Sequence, residues 1–328
     1  MKVHSRRKLV KPISWSALIV FLFLIPLFIT GPYQLHILIM AGIAIILASS
    51  VRLVVTSGLL SLAHGGMMAV GAYTSALLVM KLGLSSWAAL VLAGVAAGVI
   101  ALLVGYPFVR IKGVYFALVT VFLAEVIRLI IEQWRSLTGG SMGIVNIPRP
   151  DPIVIPGLLN MDFASKVDFY YFMLVLVLLI LSILYAIERS RTSLTWFSIA
   201  QADFLAESVG VNTARFQVLA FTIGCFFAGM AGAFYSQYVA AITPGAFGFF
   251  WSVYIVIYMI VGGMKSFAGP IIGALILTFI PESARVLKEF QPYVFAGALM
   301  LIIFFLPEGV VSLPQRLKKL VRERFSHA

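Results

Sequence analysis

Charged residues are scarce in this sequence, and acidic residues are the scarcest. The 328 residues include 24 Lys and Arg but only 12 Asp and Glu, and 62% of the chain is hydrophobic. Polar side chains are too few to cover the outside of a water-soluble globule, so this composition predicts the lipid bilayer as the solvent. The apolar runs are continuous rather than alternating, which favours helices over a β-barrel. The expected fold class is an all-α polytopic integral membrane protein.

Cysteine and histidine are too sparse for several kinds of site. Cys225 is the single cysteine, which excludes an intrachain disulfide, and the four histidines are dispersed, so no metal site is predicted. The sequence lacks a G-x-x-x-x-G-K-[ST] loop and the H-E-x-x-H and G-x-S-x-G motifs. Neither nucleotide binding through such a loop nor a catalytic residue is therefore predicted in this chain.

Carboxylates are also rare inside the apolar runs, whereas a carrier driven by ions or protons normally needs them there. The exception is Glu125, three residues before Arg128, a spacing that places both side chains on one face of a helix. The pair is either a mutually satisfied structural contact or part of a lining or gate. The scarcity of carboxylates disfavours a self-sufficient secondary carrier or channel, which is kept as the alternative of a different class.

Basic residues are concentrated near the two ends of the chain. Segments 1–14 and 312–328 are expected to be cytoplasmic by the positive-inside rule, and without interleaved aromatic residues they do not indicate nucleic-acid binding. No cleavage motif follows the first apolar run, so it is expected to remain as a helix.

Residues 15–311 are predicted to form one transmembrane domain with an outer loop at 132–167 and a cytoplasmic segment at 188–215. About ten spans are expected, or eight if the two shortest form one re-entrant pair. They cover residues 15–30, 35–56, 59–82, 86–106, 114–131, 168–187, 216–239, 249–264, 267–281 and 291–306.

Glycines interrupt two apolar regions, SGLLSLAHGG at 57–66 and the region around Gly262 and Gly263. Spans two to five and seven to ten have opposite predicted orientations, which fits an inverted repeat with interrupted helices and a substrate site at the breaks. The alternative is that the glycines only allow close helix packing.

His64 lies at the first of these breaks and has two candidate roles. It either caps backbone carbonyls freed by the break or lines a translocation path. In the second case the hydroxyls of Ser57 and Ser61 would line the path too, and Gly65 and Gly66 would allow close approach of a substrate or helix.

The segment 190–216 predicts one cytoplasmic helix of about four turns, with Thr192 or Ser193 as N-cap and Gly210 after its end. Asp203 and Glu207 lie four residues apart on one face, beside an apolar stripe of Phe197, Ala200 and Phe204. Carboxylates near a helix C-terminus oppose the macrodipole, so a docking surface explains them better than helix stability does. The alternative is a helix lying on the lipid headgroups.

Five segments together resemble the inner-membrane permeases of ABC importers for branched-chain amino acids, of the LivM type. The resemblance covers about residues 35–311 and is carried by 57–78, 110–130, 137–144, 206–235 and 260–274. The sequence differs from the family pattern at Gly65 and Gly66, at Met142 in the outer loop, and at residues 200–203, where Ala-Gln-Ala-Asp replaces Arg-Glu-[DN]-Glu.

The resemblance leads us to expect three roles for particular residues. The expected substrate-pathway residues are Ser57, Ser61, His64, Gly65, Gly66, Tyr73, Glu125, Gly262 and Gly263. The residues expected to couple to an ATPase are Phe197, Gln201, Asp203, Phe204, Glu207 and Gly210. The expected outer-loop motif is Thr138, Gly139, Gly140 and Ser141.

The resemblance also implies a heteromeric importer in a prokaryotic inner membrane. The implied partners are a second related, LivH-like permease, two cytoplasmic ABC ATPases that bind ATP and Mg, and a periplasmic or extracellular binding protein. This chain would hold no cofactor and would contact lipid but no nucleic acid. The implied substrates are branched-chain or other hydrophobic amino acids, and a same-family alternative is urea, an amide or another small solute.

Overall fold

A computed structural model of the chain describes residues 20–29, 31–155, 159–283, 291–306 and 308–313. The basic segment 1–14, and all but two residues of the basic segment 312–328, lie outside these ranges. The helices are α1 (20–28), α2 (Pro32–Val55), α3 (His64–Leu82), α4 (Ser86–Phe108), α5 (Val114–Gln133), α6 (Arg135–Thr138), α7 (Lys166–Glu188), α8 (Arg191–Gln201), α9 (Asp203–Ser208), α10 (Thr213–Val239), α11 (Phe249–Gly262), α12 (Gly269–Ser283) and α13 (Gln291–Phe305).

Seven segments of the described chain are long and apolar enough to cross a membrane. They are α2, α3, α4, α5, α7, α10 and the stretch Pro244–Gly262, which joins a short 3-10 helix to α11. The polytopic all-α prediction is confirmed. Each of the ten predicted spans falls on a helix, but α12 and α13 are shorter than a full span, and α1 is described only over residues 20–28.

In the described ranges, four very short strands lie outside the helices. Strands β1 (Ile144–Val145) and β4 (Ala241–Ile242) pair antiparallel, as do β2 (Ile153–Ile155) and β3 (Leu159–Met161). The pairing of β1 with β4 attaches the loop after α6 to the end of α10.

The centre of the bundle is formed by α2 and α10, which run antiparallel. Near one end His36 contacts Tyr238, and fourteen residues further along α2 and back along α10, Ser50 faces Gly224. Helix α10 packs against α3 and α4, whereas α2 packs against α7, α11 and α12. The two predicted repeats correspond to α2–α5 and α10–α13. Helix α10 thus packs against two helices of the first repeat, and α2 packs against two helices of the second, as an inverted repeat allows.

Several glycines serve close helix packing, as the alternative interpretation expected. A Cβ at Gly71 would lie 2.0 Å from the carbonyl oxygen of Gly229, and a Cβ at Gly262 would lie 1.8 Å from that of Gly269. Helix α3 therefore meets α10, and α11 meets α12, at backbone contact distance.

The bundle has two polar ends. The loop end carries residues 134–155 and 159–165 and the turn after α10, and the helix-pair end carries α8 and α9. At the helix-pair end Arg52 pairs with Glu188 and Lys265 pairs with Glu308. These two ion pairs thus lie at the same end of the molecule as α8 and α9.

Candidate functional site at the break between α2 and α3

Residues 56–63 form a non-helical connection between α2 and α3 that is buried except at Gly58, Leu60 and the half-buried Leu62. Its polar groups are largely satisfied inside the protein. The Ser57 hydroxyl donates to the carbonyl of Val54 at 2.7 Å, the carbonyl of Ser57 accepts from Gln217 Nε2, and the amide of Leu62 donates to Thr120 Oγ1. Ser61 Oγ accepts from the amide of Ala63. The segment is therefore an ordered break in a helical path, bonded to α5 and α10.

His64 begins α3 and is completely buried. Within the described part of the chain, neither ring nitrogen has a hydrogen-bond partner, so the imidazole caps no backbone carbonyl there. Its Nε2 faces α10, since a Cβ at Gly224 would lie 3.2 Å from it. A buried imidazole without a partner is costly, and such a group is commonly explained by a strained or functional role or by a bound water or ligand.

Gly65 and Gly66 allow two other helices to approach the start of α3. The amide of Gly65 donates to Ser252 Oγ at 3.2 Å, and a Cβ at Gly65 would lie 2.4 Å from that oxygen. A Cβ at Gly66 would lie 2.6 Å from Cα of Ala124. Helices α5 and α11 thus meet α3 where it begins, and any side chain at these two positions would force them apart.

Tyr73 lies on α3 nine residues beyond His64, about 14 Å along the helix axis toward the loop end. Its ring packs edge-on against Phe247. Its hydroxyl is buried and has no hydrogen-bond partner among the residues that the structure describes. Tyr73 and His64 are therefore two buried polar groups without partners on one helix.

Two other predicted pathway sites do not share the buried surroundings of His64. Gly262 ends α11 about 15 Å along its axis from Ser252, and Gly263 adopts φ 117° beside Gly309. Glu125 accepts hydrogen bonds from Arg128, as its spacing predicts, and its side chain is 37% exposed. Gly262 and Gly263 therefore lie at the helix-pair end. Glu125 and Arg128 lie on a partly exposed face of α5.

The loop motif at 138–141 forms a turn that is hydrogen-bonded to the end of α5 and to α6. The hydroxyl of Thr138 donates to the carbonyls of Ile131 and Trp134. Gly139 and Gly140 have φ of 77° and 64°, and the side chain of Ser141 is exposed. These backbone conformations favour glycine, so the two glycines of the motif are explained by the turn that they form.

The helix-pair end differs from the single helix that the sequence predicts. Ala202 is extended, with φ −158° and ψ 91°, and separates α8 from α9. Ser190 takes the N-cap position instead of Thr192 or Ser193, whereas Gly210 follows α9 with φ 87°, as expected. Asp203 therefore begins a helix, where the macrodipole favours a carboxylate.

Asp203 and Glu207 both have partners within the chain. Asp203 Oδ2 lies 2.5 Å from Lys112 Nζ, and Glu207 accepts a hydrogen bond from the hydroxyl of Thr213. The hydrogen bond from Lys112 lowers the pKa of the Asp203 carboxyl and also raises the pKa of Lys112. Local bonding accounts for these two carboxylates, and the outward surface of the pair of helices exposes several large apolar side chains among polar ones.

The anchored and free faces of α8 and α9 are distinct. Trp196 is fully buried and donates from Nε1 to the carbonyl of Phe216, and Ala200 packs on Gly58, where an added Cβ would lie 3.1 Å from Cα of Ala200. On the free face Phe204 is 75% exposed and Val209 is 79% exposed. The exposed side chains on this face also include Leu194, Phe197, Gln201 and Leu205.

Arg52 is a functional candidate that sequence patterns did not reveal. Its guanidinium makes two hydrogen bonds to Glu188 at 2.8 and 2.9 Å, and Nε donates to the carbonyl of Met264. This buried pair joins α2, α7 and the turn after α11 at the helix-pair end. The signal available was a lone arginine three residues before the end of an otherwise apolar run.

No cluster of three or more His, Cys, Asp or Glu side chains suited to a metal ion occurs in the described ranges. The buried polar groups at the break are instead an imidazole, hydroxyls and backbone amides. Such groups suit the binding or passage of a small polar solute, since they offer donors and acceptors without a fixed charge.

Comparisons with known proteins converge on one type of protein. Residues 33–305 match the family model described as branched-chain amino acid transport system / permease component. The chain is 31% identical over 299 residues to the high-affinity branched-chain amino acid transport system permease protein LivM of Escherichia coli, covering 85% of this chain and 70% of that protein. It is also 31% identical over 302 residues to LivM of Salmonella typhimurium, covering 86% and 70%.

A second kind of permease is also similar. The high-affinity branched-chain amino acid transport system permease protein LivH of Escherichia coli is 27% identical over 278 residues, covering 79% of this chain and 87% of that protein. No solved structure matches the chain significantly.

Proposed function

Since this chain belongs to the family of permease components of branched-chain amino acid transport systems, we propose that it is the LivM-like permease subunit of an ATP-driven importer. The proposed cargo is a branched-chain or other hydrophobic amino acid. The structural observation that carries the proposal is a pair of helices bonded to the bundle on one face and exposing several large apolar side chains on the other. A permease that is moved by a separate subunit needs such a surface.

The proposed partners follow from the family and from the two kinds of relative. A LivH-like permease would complete the membrane part, two cytoplasmic ABC ATPases would bind ATP and Mg, and a periplasmic or extracellular protein would deliver the substrate. This chain would hold no cofactor and hydrolyse no ATP. The helix-pair end and both termini are proposed to be cytoplasmic, with the chain in the inner membrane.

The proposed substrate path passes His64, where α2, α3 and α10 meet, whereas Tyr73 projects from the opposite side of α3 toward Phe247. The imidazole of His64 is buried and lacks a partner within the described ranges, so it can bond a passing polar group. The substitution His64→Ala tests this path. Lost transport in a complex that assembles normally supports it, and normal transport contradicts it.

The proposed coupling runs from the ATPases through α8 and α9 into the bundle. ATP-driven movement at the free face of the pair would reach the turn at Gly58 through Ala200, and α10 through Trp196. Residues 56–63 lead directly from that turn to His64. Movement of the pair can therefore alter the break itself, as alternating access requires.

Co-purification with the ATPase subunits tests the coupling surface. Phe204→Asp and Val209→Asp should lower the yield of the complex several-fold, because each places a charge in an apolar contact. Met142→Asp is the matched control, since Met142 is 82% exposed at the opposite end. Full complex yield from the two helix-pair variants would refute docking at this face.

A further inference from the structure

A polar pocket at the loop end lies between the start of α7 and the end of α10. Its volume is about 420 Å³, within the range of small-molecule sites, and its lining includes His36, Arg149, Lys166 and Tyr238. It lies about 21 Å from the level of His64 along both central helices, on the side that the proposed orientation makes external.

The two cationic side chains of this pocket have no ion-pair partner among the described residues. Neither Arg149 nor Lys166 makes an ion pair or a side-chain hydrogen bond with another described residue, although five ion pairs occur elsewhere in those ranges. The nearby carboxylates have other partners, since Asp151 accepts from the amide of Ser86, Asp168 from the amide of Ser165, and Glu282 from the hydroxyl of Tyr33. The pocket thus presents two positive charges to any occupant.

Two helix ends give the pocket opposite partial charges on its two sides. Helix α7 begins there with Lys166, and its amide end attracts a carboxylate although the Asp168 carboxylate, in a capping box with Ser165, offsets part of this charge. Helix α10 ends there at Val239, and the carbonyl end of a helix attracts an ammonium group. His36 Nδ1 lies 2.6 Å from the Tyr238 hydroxyl between them and adds neutral hydrogen-bonding groups.

We infer that this pocket is an outer docking site for a free zwitterionic amino acid, held before it enters the path toward His64. The carboxylate binds Arg149, Lys166 and the start of α7, and the ammonium group binds the carbonyl end of α10. Phe169 lies in the same lining and supplies an apolar surface for the side chain. The choice of an amino acid as ligand rests on the proposed function.

Photolabelling of the assembled importer, without its binding protein, tests the site directly. The probe is photo-leucine, a diazirine analogue of leucine, and labelled peptides are identified by mass spectrometry. We expect label on peptides that contain residues 164–169 and 237–240, removed by excess leucine. Two half-ligands should compete at least about tenfold less well, namely 4-methylpentanoate, which lacks the ammonium group, and leucinol, which lacks the carboxylate.

Charge-removing variants supply the matched comparison. Arg149→Gln and Lys166→Met should each reduce labelling about tenfold, whereas Arg135→Gln, an exposed arginine of the same loop outside the pocket, should stay within twofold. Label confined to other segments, or full labelling of the Arg149 variant, overturns the inference. A third result also overturns the inference: the Arg149 and Lys166 variants are fully labelled, but the binding protein no longer stimulates their ATP hydrolysis. The two cations would then serve to dock the binding protein.

ATP-driven uptake, measured after the binding protein is added to the same importer preparation, separates the two claims. Uptake of leucine with labelling independent of Arg149 refutes the docking site and leaves the proposed function standing. Labelling dependent on Arg149 without any ATP-driven uptake refutes the proposed function and leaves the site standing.

Discussion

The His64 imidazole lies directly against Gly224 of the central helix α10. A Cβ at Gly224 would lie 3.2 Å from Nε2 of His64, 3.0 Å from the carbonyl oxygen of Ser50 and 2.7 Å from a methyl group of Val54. The glycine therefore keeps α2, α3 and α10 close around the imidazole. A single methyl group at this position changes the proposed path without altering any polar atom.

Gly224→Ala should destabilise the protein by about 1–3 kcal/mol through overpacking and should reduce transport. Thermal unfolding of the purified chain and ATP-driven uptake are the two measurements. Gly98→Ala is the control, since its Cβ would make only ordinary contacts of 3.6 Å or more. Equal unfolding temperatures and uptake for both variants would show that the Gly224 contact has no effect.

The Arg52–Glu188 pair should be the most sensitive ion pair at the helix-pair end. Its side chains are 5% and 22% exposed, so Glu188→Gln leaves a charge without compensation in a mostly buried place and should cost about 3–5 kcal/mol. Glu308→Gln, in the exposed pair with Lys265, should cost no more than about 1 kcal/mol. Denaturation of the two variants compares these costs, and a smaller loss for Glu188→Gln would be evidence against a buried pair.

The Lys112–Asp203 contact predicts a defined pH dependence. The folded-state pKa of Asp203 is lowered, so its contribution is present above the unfolded value of about 3.9 and is lost as pH falls through the folded pKa. The folded-state pKa of Lys112 is raised, so its contribution is present below about 10.4 and is lost as pH rises through the folded value.

Wild type and Asp203→Asn should therefore differ most in unfolding temperature between about pH 4 and pH 10, and their difference should vanish in stronger acid. The pair is largely exposed, so the effect at neutral pH should not exceed about 1 kcal/mol. A difference that grows as the pH falls below about 4 would have the wrong sign for this contact.

Gly58 should matter for coupling more than for folding. It adopts φ 84° beneath α8, so Gly58→Ala introduces left-handed strain of roughly 1–2 kcal/mol and crowds Ala200 at 3.1 Å. The expected result is several-fold less substrate transported per ATP hydrolysed. Gly83→Ala is the control, since it has φ 61° with open space around it. Equal transport per ATP in the two variants would exclude a coupling role for the Gly58 contact.

Much of the fold could be predicted because hydropathy and charge placement act over whole segments. The break at 57–63 and the pairing of Glu125 with Arg128 followed from glycine content and helical spacing. The division of the predicted cytoplasmic helix at Ala202 did not, since it accompanies a tertiary ion pair between Asp203 and Lys112. Arg52 was missed for the same reason, because its partner Glu188 lies 136 residues away.

Only some of the predicted site residues lie together in the structure, and the reason is geometric. His64, Gly65 and Gly66 are neighbours in sequence and lie together at the start of α3. Gly262 and Gly263 belong to the other half of the chain, and only the packing of α11 on α12 places them at the helix-pair end. Sequence patterns identify such breaks but give no distance between them.

The most direct test of the central claim is ATP hydrolysis and uptake by the reconstituted importer in proteoliposomes, with binding protein loaded in turn with leucine, isoleucine, valine or urea. A permease subunit for hydrophobic amino acids predicts stimulated hydrolysis and uptake with one or more of the three amino acids, none with urea, and no uptake by this chain alone. An equal response to all four solutes, no response to any, or uptake by this chain without the ATPases would contradict it.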